Sequence, residues 1–261
     1  MFKCNNIYSV WDKKLIYPST NYRRDAIDTE YKAGRDKERS ARVYSFEEIT
    51  TKLLTLLGVK NMYPGVLEAD DVISWLSDEI STEKVIVSVD QDMLQLIDRN
   101  TYVYSPIKDI IIDKTSFQDH VGVKIEQFIR YKSLMGDKSD NLPGIDRCGT
   151  KTAIKLVNEC RDDDMLVEKL GKDALKPYFR NLELIDLKKG LEYHPDDEDL
   201  YVDQYNKLRN HQPDMESFRK MAESMNMNKI STDFATWSSV FAGEELVKTL
   251  EDIVNSLGLS K

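Results

Sequence analysis

Two short β-type runs, each followed by acidic residues, set the strongest limit on how this chain can fold. Residues 6–11 form a β-prone run that stops at Asp12, and residues 84–89 form an apolar run that stops at Asp90. Two stretches with helical spacing of apolar residues lie between them. The order strand, helix, helix, strand predicts an open α/β sheet in which the second run is a buried parallel strand. In such sheets the functional sites lie at the carboxyl ends of the strands.

The two intervening stretches have helix-start signals of different kinds. Residues 45–57 begin with a Ser-Phe-Glu-Glu capping box and continue with leucines at helical spacing. Residues 66–80 carry acidic side chains on their first turn, and residues 102–112 resemble a β-ribbon that turns near Pro106. The first half of the chain is therefore predicted to be a mixed α/β region.

The pattern beyond residue 124 is mainly helical. A helix that ends at Gly136 is followed by a glycine-containing loop and by a second helix over residues 150–160. The remaining residues are polar and helical, and we interpret the acidic interruption at 195–199 as a loop or linker.

The composition describes a globular chain with hidden charge asymmetry. The 261 residues carry 37 Lys and Arg against 46 Asp and Glu, a net charge of −9. Such a balance argues against simple phosphate binding, yet residues 17–42 concentrate basic side chains interleaved with tyrosines. Three scattered cysteines without CxxC spacing argue against a disulfide framework and against zinc, and they fit a reducing, cytoplasmic location. The sequence contains no apolar run long enough for a membrane helix, so no membrane partner is expected.

Eight carboxylates share a position at a strand end, a helix start or an inter-helix loop: Asp12, Glu68, Asp70, Asp71, Asp90, Asp92, Asp137 and Asp140. Any one of them is ordinarily a helix cap or turn residue. As a group they predict a site for two Mg²⁺ ions, with Mn²⁺ as a substitute, because hard oxygen ligands suit these ions and no Lys or Arg is placed in the sequence to neutralise them. Two such ions promote the attack of water on a phosphodiester by stabilising the attacking and the leaving oxygens.

Three segments, in this order and spacing, resemble the signature segments of the 5'-nuclease superfamily of flap endonucleases and 5'-3' exonucleases: LEADDVISWL, VSVDQDMLQL and LMGDKSDNLPGIDRCGTKTAIKLV. The segments YRRDAIDTEYKAGRDKERS and RNLELIDL are most similar to the bacteriophage-type branch, which includes phage ribonuclease H enzymes that remove RNA primers. The resemblance covers roughly residues 6–190.

The resemblance implies a PIN-like parallel sheet flanked by helices, followed by a helix-three-turn-helix DNA-binding region and a helical C-terminal part. The resemblance divides the chain into three regions. Residues 1–123 form an α/β nuclease core with a basic arch at 17–42, residues 124–190 form the duplex-binding region, and residues 191–261 form the helical C-terminal region.

Site residues carried over from the family fall into three groups. Asp12, Glu68, Asp70, Asp90 and Asp92 build the metal site with support from Asp71, and Asp137 and Asp140 hold the second ion. The arch residues that contact the scissile phosphate are Arg23, Arg24, Lys32 and Arg35. Tyr22 stacks on a base. Gly144 and Gly149 allow close backbone approach, and the helix start at Thr150, Lys151 and Thr152 binds a duplex phosphate. The resemblance also implies K⁺ in the 136–149 loop, where Asp146-Arg147-Cys148 departs from the family's small residues.

The family opens with a strand that ends in an aspartate and a long helix, both preceding the segment that matches residues 7–12. Two explanations are open: a short partner polypeptide supplies this segment, or it belongs to the same chain upstream. The resemblance therefore implies that residues 1–261 alone lack a central strand.

The expected function is that of a Mg²⁺-dependent structure-selective 5' nuclease acting on 5' flaps, nicked or gapped DNA and RNA–DNA hybrids. A single-strand-binding or other replication protein is an expected partner of the C-terminal helices. Two alternatives stay open: a non-catalytic DNA-junction-binding protein of the same fold, which the retained acids disfavour, and a compact metal-dependent ribonuclease, which does not explain the glycine-containing loop.

Overall fold

The structure, a computed structural model, describes residues 4–12, 22–32 and 46–241. The strands of this part are β1 (Tyr8–Val10), β2 (Lys60–Met62), β3 (Lys84–Val87), β4 (Thr101–Ser105), β5 (Ile110–Ile112), β6 (Gly136–Asp137) and β7 (Leu142–Pro143). The helices are α1 (Glu47–Leu56), α2 (Ala69–Glu79), α3 (Phe117–Val121), α4 (Phe128–Met135), α5 (Thr150–Glu159), α6 (Asp163–Leu170), α7 (Lys176–Ile185), α8 (Lys189–Tyr193), α9 (Asp196–Leu208), α10 (Met215–Ser224), α11 (Asn228–Thr232) and α12 (Phe234–Phe241). None of these helices is long and apolar enough to cross a bilayer.

The described residues form two compact units. The first contains residues 4–11, 46–62 and 202–241, and the second contains residues 12, 22–32 and 63–201. In the first unit, β1 and β2 pair in parallel. Leucines of α1 pack there with Phe218 of α10, so the helix predicted over 45–57 is confirmed. The predicted cap, Ser45, lies outside the described residues, and Phe46 stands at the N-cap position of the observed helix.

The second unit is built around the sheet β3-β4-β5. Strands β3 and β4 are parallel and β4 and β5 are antiparallel, which confirms the predicted parallel strand and the predicted ribbon. Val103 and Ile112 point one face of this sheet into the main core, together with Phe117 of α3 and Phe128 of α4. The segment Gln91–Leu96, which follows β3, contributes Met93, Leu94 and Leu96 to this core and contacts helix α2.

The opposite face of the sheet differs from the prediction. Val87 and Val89 are each 61% exposed, so β3 is not a strand buried on both faces. Val87 of β3 is the register partner of Tyr104 of β4, and Tyr104 is the register partner of the half-exposed Ile111 of β5. These three side chains therefore lie on the same face of the sheet. Parallel strands are ordinarily covered on both faces. Among the described residues this face is therefore an uncovered apolar surface.

The second half of this unit is helical, as predicted. Helix α4 packs against α5 and α7, and the small hairpin β6-β7 lies between α4 and α5 in the chain. The predicted loop or linker at 195–199 is wrong, because α9 begins at Asp196. Acidic residues at that point form the first turn of a helix, where the helix dipole favours negative charge.

Candidate metal centre

Helix α2 starts with acidic residues because they serve as its cap. Glu68 immediately precedes the helix, and its backbone N–H donates a hydrogen bond of 2.9 Å to Asp71 Oδ2. This bond satisfies a donor that the helix itself leaves free. The cap therefore fixes Glu68 relative to Asp71 before any tertiary contact is considered.

Arg23 joins these two acids in a buried ion-pair network. Its Nη2 lies 2.7 Å from Asp71 Oδ1, and its Nη1 lies 2.8 Å from Asp71 Oδ2 and from Glu68 Oε2. Its Nε also donates to the carbonyl oxygen of Leu184. Arg23 is only 1% exposed, and the neighbouring carboxylates raise the pKa of its guanidinium well above the usual value. Arg23 is thereby held in the interior and is not open to a phosphate, in contrast to the sequence-based expectation for an arch residue. Asp71 holds Arg23, which is compatible with the supporting role expected for it.

Tyr22 is likewise buried rather than free to stack on a base. Its ring is 3% exposed and packs between Tyr193, at 5.7 Å, and His194, at 5.4 Å between ring centroids. The guanidinium of Arg23 lies 4.6 Å from the same ring centroid. In this structure the Tyr22 ring is therefore in the protein interior and not open to a base, in contrast to the sequence-based expectation.

Lys32 and Tyr31 link Glu68 to Asp140. Lys32 Nζ lies 2.8 Å from Glu68 Oε1 and 3.9 Å from Asp140 Oδ2. Tyr31 Oη donates to Glu68 Oε2 at 3.1 Å and lies 3.4 Å from Asp140 Oδ2. Lys32 is therefore placed inside the acidic cluster, among the carboxylates predicted to bind metal. Arg24 is exposed, with its Nε 3.4 Å from Asp25, and Arg35 lies outside the described residues.

Asp70 is the point where the acidic residues converge. Burial is the main cause that raises its pKa from 3.8 to about 7, and the negative charges of Asp90, Glu68 and Asp12 raise it further, against the lowering effect of Lys32. These residues come from the end of the β1 segment, the start of α2 and the end of the β3 segment. The fold thus brings together four carboxylates from three segments that are distant in sequence, and their repulsion favours a cation between them.

Asp92 and Asp137 form a second acidic group around Lys132 of α4. The Lys132 ammonium contacts Asp92 Oδ1 and lies 2.9 Å from Asp137 Oδ2. Burial raises the pKa of Asp92, whereas Lys132 and the Ser139 hydrogen bonds hold the pKa of Asp137 down, at about 2, in spite of its partial burial. The sequence-based expectation that no Lys or Arg neutralises the acids is therefore wrong, because Lys32, Arg23 and Lys132 reach them from other segments.

The donor chemistry of this cluster fits a hard divalent ion, since all of its ligands are carboxylate oxygens. Within residues 4–12, 22–32 and 46–241, no three His, Cys, Asp or Glu side chains lie close enough to hold an ion as they stand. Lysine ammonium groups contact Glu68, Asp92 and Asp137 instead. Binding an ion therefore requires these carboxylates to exchange lysine partners for the metal.

The loop between α4 and α5 uses its glycines differently from the sequence-based expectation. Contacts within the protein require glycine at positions 144 and 136. A Cβ added to Gly144 would lie 2.2 Å from the carbonyl oxygen of Met135, and one added to Gly136 would lie 2.3 Å from that of Leu142. Gly149, the residue before α5, faces open space, so an internal close approach does not explain it. Thr150, Lys151 and Thr152 are exposed on the first turn of α5. This helix start is open to an external ligand.

Asp197 is a site-supporting residue that the sequence-based reasoning missed. It is buried, and its carboxylate accepts hydrogen bonds from the backbone N–H groups of Val66 and Leu67, both at 2.9 Å, and from Tyr201 at 3.2 Å. These bonds hold the turn that leads into Glu68. The close approach of Asp197 to this turn explains Gly65, where a Cβ would lie 2.3 Å from Asp197 Oδ1. Only the tertiary contact distinguishes Asp197 from its acidic neighbours.

Replacing Asp197 with Ala is expected to destabilise the protein by about 2 to 4 kcal/mol, because buried backbone donors lose a charged acceptor. Urea unfolding measures the change, with the exposed Asp199→Ala as the matched control, expected within about 0.5 kcal/mol of the parent. Equal losses in the two variants would show that the Asp197 hydrogen bonds do not hold the turn.

Comparison with known proteins places this geometry in a family. Residues 2–122 match the 5'-3' exonuclease N-terminal resolvase-like domain, and residues 123–239 match the 5'-3' exonuclease C-terminal SAM fold. A 5'-3' exonuclease of Buchnera aphidicola is 32% identical over 168 residues, which are 63% of this chain and 58% of the relative. A 5'-3' exonuclease of Aquifex aeolicus is 31% identical over 218 residues, which are 80% of this chain and 72% of that relative.

A solved structure shows the same fold. The flap endonuclease of bacteriophage T5, crystallised with DNA and metal ions, superposes with a TM-score of 0.63 at 21% identity, over 78% of this chain and 84% of that one. The chain spans less than two thirds of the Buchnera relative, at 58%. The α/β fold with a helical second region, predicted from the sequence, is confirmed. Because both halves match and the Aquifex relative is matched over most of its length, this chain belongs to the 5'-3' exonuclease family.

Proposed function

We propose that this protein is a divalent-metal-dependent, structure-selective 5' nuclease that cleaves 5' flaps, nicked or gapped duplex and RNA primers paired with DNA. The observation that carries this proposal is the convergence of Asp12, Glu68 and Asp90 on Asp70. Four carboxylates from three separate segments, close enough for their charges to act on one another, suit a cation site on a protein that acts on phosphates. The names of the relatives, 5'-3' exonucleases, agree with this activity.

The acidic residues divide into two groups in the proposed site. Asp12, Glu68, Asp70 and Asp90 would hold the first Mg²⁺ or Mn²⁺, and Asp92 and Asp137 would hold the second. Asp140, which the family resemblance groups with Asp137, shares Tyr31 and Lys32 with Glu68 of the first group. The bound ions supply a water of lowered pKa and neutralise charge on the phosphodiester. The buried Arg23 and Asp71 keep Glu68 in place, while Lys32, Arg24 and Arg35 neutralise the substrate phosphate. No covalent bond to the protein is formed.

The proposed division of labour follows the chain. Residues 1–123 carry most of the metal ligands, residues 124–190 bind duplex, and residues 191–261 bind a replication protein. In the middle region the free first turn of α5 at Thr150, Lys151 and Thr152 binds a phosphate of the duplex through backbone N–H groups and the helix dipole. The open space at Gly149 supports close approach of that phosphate.

Lys151→Ala is expected to weaken duplex binding and to reduce the slope of log K against log salt concentration by about 0.9, the value for one lost phosphate contact. Binding titrations of a nicked duplex at several salt concentrations, in Ca²⁺ to suppress cleavage, measure this slope. Lys155→Ala removes an exposed charge from the next turn of the same helix and serves as the control. An unchanged slope for Lys151→Ala would remove this residue from the phosphate contacts.

The function itself is tested with a 5'-flap DNA and the matching RNA–DNA hybrid in Mg²⁺, in Mn²⁺ and in EDTA. Metal-dependent release of the 5' strand at the junction supports the nuclease. Tight binding of the flap with no cleavage in any metal supports the non-catalytic junction-binding protein instead. Cleavage of single-stranded RNA with no preference for the junction supports the compact ribonuclease. Exchanging K⁺ for Na⁺ in the binding assay tests the proposed K⁺ in the 136–149 loop.

We also propose that a further polypeptide segment covers the exposed face of β3, β4 and β5. The face presents Val87, Val89 and Ile111 next to the carboxylates that follow β3, and parallel strands are ordinarily covered on both faces. Binding of a strand–helix peptide of about 60 residues, and a gain of cleavage when it is added, test this proposal. Equal cleavage with and without the peptide would contradict it.

A further inference from the structure

Lys132 occupies the space between two acidic residues of the proposed second metal group. Its ammonium contacts Asp92 and Asp137, and the side chains of all three are largely buried, with exposures of 6%, 14% and 19%. Asp137 is also held in place from its other side, by the backbone N–H of Ser139 at 2.8 Å and by the Ser139 hydroxyl at 2.5 Å. The carboxylates are therefore fixed around an ammonium group.

The first metal group contains four carboxylates, so its balance of charge differs from that of the Asp92–Asp137 pair. Glu68 contacts the Lys32 ammonium and the Arg23 guanidinium there, and Asp12, Asp70 and Asp90 carry further negative charge. A divalent ion that enters there displaces Lys32 from Glu68 alone, and Asp12, Asp70 and Asp90 add negative charge that attracts it. A buried ammonium between two carboxylates has the opposite effect, since an entering ion meets a like charge at short range in a medium of low dielectric constant.

We propose that Lys132 is the built-in counter-cation of the Asp92–Asp137 pair and that it competes with the second divalent ion for these two carboxylates. This inference rests on the proposed function, because it assigns the affinity of that site. Lys132 is thus a positioning residue: it keeps Asp92 and Asp137 together in the metal-free protein, and the second ion binds only as its ammonium leaves the pair. The first ion is expected to bind tightly and the second weakly.

The experiment measures Mn²⁺ binding to the protein alone, without nucleic acid, by titration calorimetry and by the paramagnetic resonance signal of free Mn²⁺. The parent is expected to bind two ions with clearly different affinities. Lys132→Met is expected to tighten the weaker site about tenfold or more and to leave the tighter site unchanged. Lys132→Arg, which keeps the charge, is expected to leave the weak site weak. Lys138→Met removes an exposed lysine with the same change in net charge and is expected to behave as the parent.

Thermal unfolding keeps the test valid if Lys132→Met is unstable without metal. Its unpaired buried carboxylates are expected to lower Tm in EDTA, and Mn²⁺ is expected to raise Tm of this variant more than that of the parent. An unchanged or weaker second site in Lys132→Met, or two equal sites in the parent, would overturn the role of Lys132 while leaving the nuclease intact. Absence of Mn²⁺ binding in the parent would instead overturn the proposed function and this inference with it.

Discussion

Replacing Asp70 with Asn is expected to abolish metal-dependent cleavage and, at the same time, to stabilise the metal-free protein. Both effects have one cause. Asp70 lies among Asp90, Glu68 and Asp12, and its burial and their charges raise its pKa to about 7. The same excess negative charge that suits a divalent ion strains the protein in its absence. Losing about 4 kcal/mol of transition-state stabilisation from a disrupted metal site corresponds to roughly a thousandfold loss of rate.

The gain in stability is expected to depend on pH. Because the folded protein holds the Asp70 proton more tightly than the unfolded chain, the stability associated with this proton is fully present below about pH 4. It is lost as the pH rises from about 4 through about 7, where the folded-state carboxyl ionises. A shift from 3.8 to about 7 corresponds to roughly 4 kcal/mol at pH 8, of which Asp70→Asn is expected to recover at least about 1 kcal/mol.

Urea unfolding in EDTA at pH 4.5 and pH 8 measures the stability, and single-turnover cleavage of a 5' flap measures the activity. Asp119→Asn, the same change at an exposed carboxylate, is the control and is expected to alter neither quantity. Flap binding by Asp70→Asn is expected to be retained. Full cleavage by this variant would exclude Asp70 from the metal site, and an unchanged free energy of unfolding at pH 8 would show that the carboxylates do not repel one another there.

The largest loss of stability is expected from Arg23→Met. The guanidinium makes two hydrogen bonds to Asp71 and one to Glu68, and neither Arg23 nor Asp71 has appreciable contact with water. Removing it leaves a buried carboxylate without a partner, which costs about 3 to 5 kcal/mol. Because Arg23 also orients Glu68, the surviving folded fraction is expected to bind Mn²⁺ more weakly than the parent.

A double-mutant cycle separates the ion pair from simple loss of packing. Asp71→Asn in the Arg23→Met background removes the unpaired charge and is expected to recover part of the loss, whereas Asp71→Asn alone is expected to be destabilising. Arg24→Met is the matched control, since Arg24 is exposed beside Asp25, and its expected change is within about 0.5 kcal/mol. Equal changes for Arg23→Met and Arg24→Met would show that the buried pair contributes nothing to stability.

The sequence alone was sufficient for the local elements and for which acidic residues to examine. The apolar run before Asp90 and the helical spacing after Glu68 correspond to β3 and α2, because strand and helix periodicities act over a few neighbouring residues. The loop that ends at Gly149 and the helix after it were predicted from glycine placement and helix-start signals. Local signals failed at Asp196–Leu208, where acidic residues with turn-like composition begin a helix.

Only the tertiary structure decided how the charges pair. Nothing in the sequence near Asp71, Glu68 or Asp92 indicates that Arg23, Lys32 and Lys132 are their partners, because ion pairs between distant segments leave no periodic pattern. The family resemblance implied that Arg23 and Tyr22 contact nucleic acid, whereas burial places both side chains in the protein interior. The sequence by itself determined that carboxylates stand at strand ends and helix starts. The fold decided which of them repel one another and which are already neutralised, since electrostatic energy depends on distance in space and on exclusion of water.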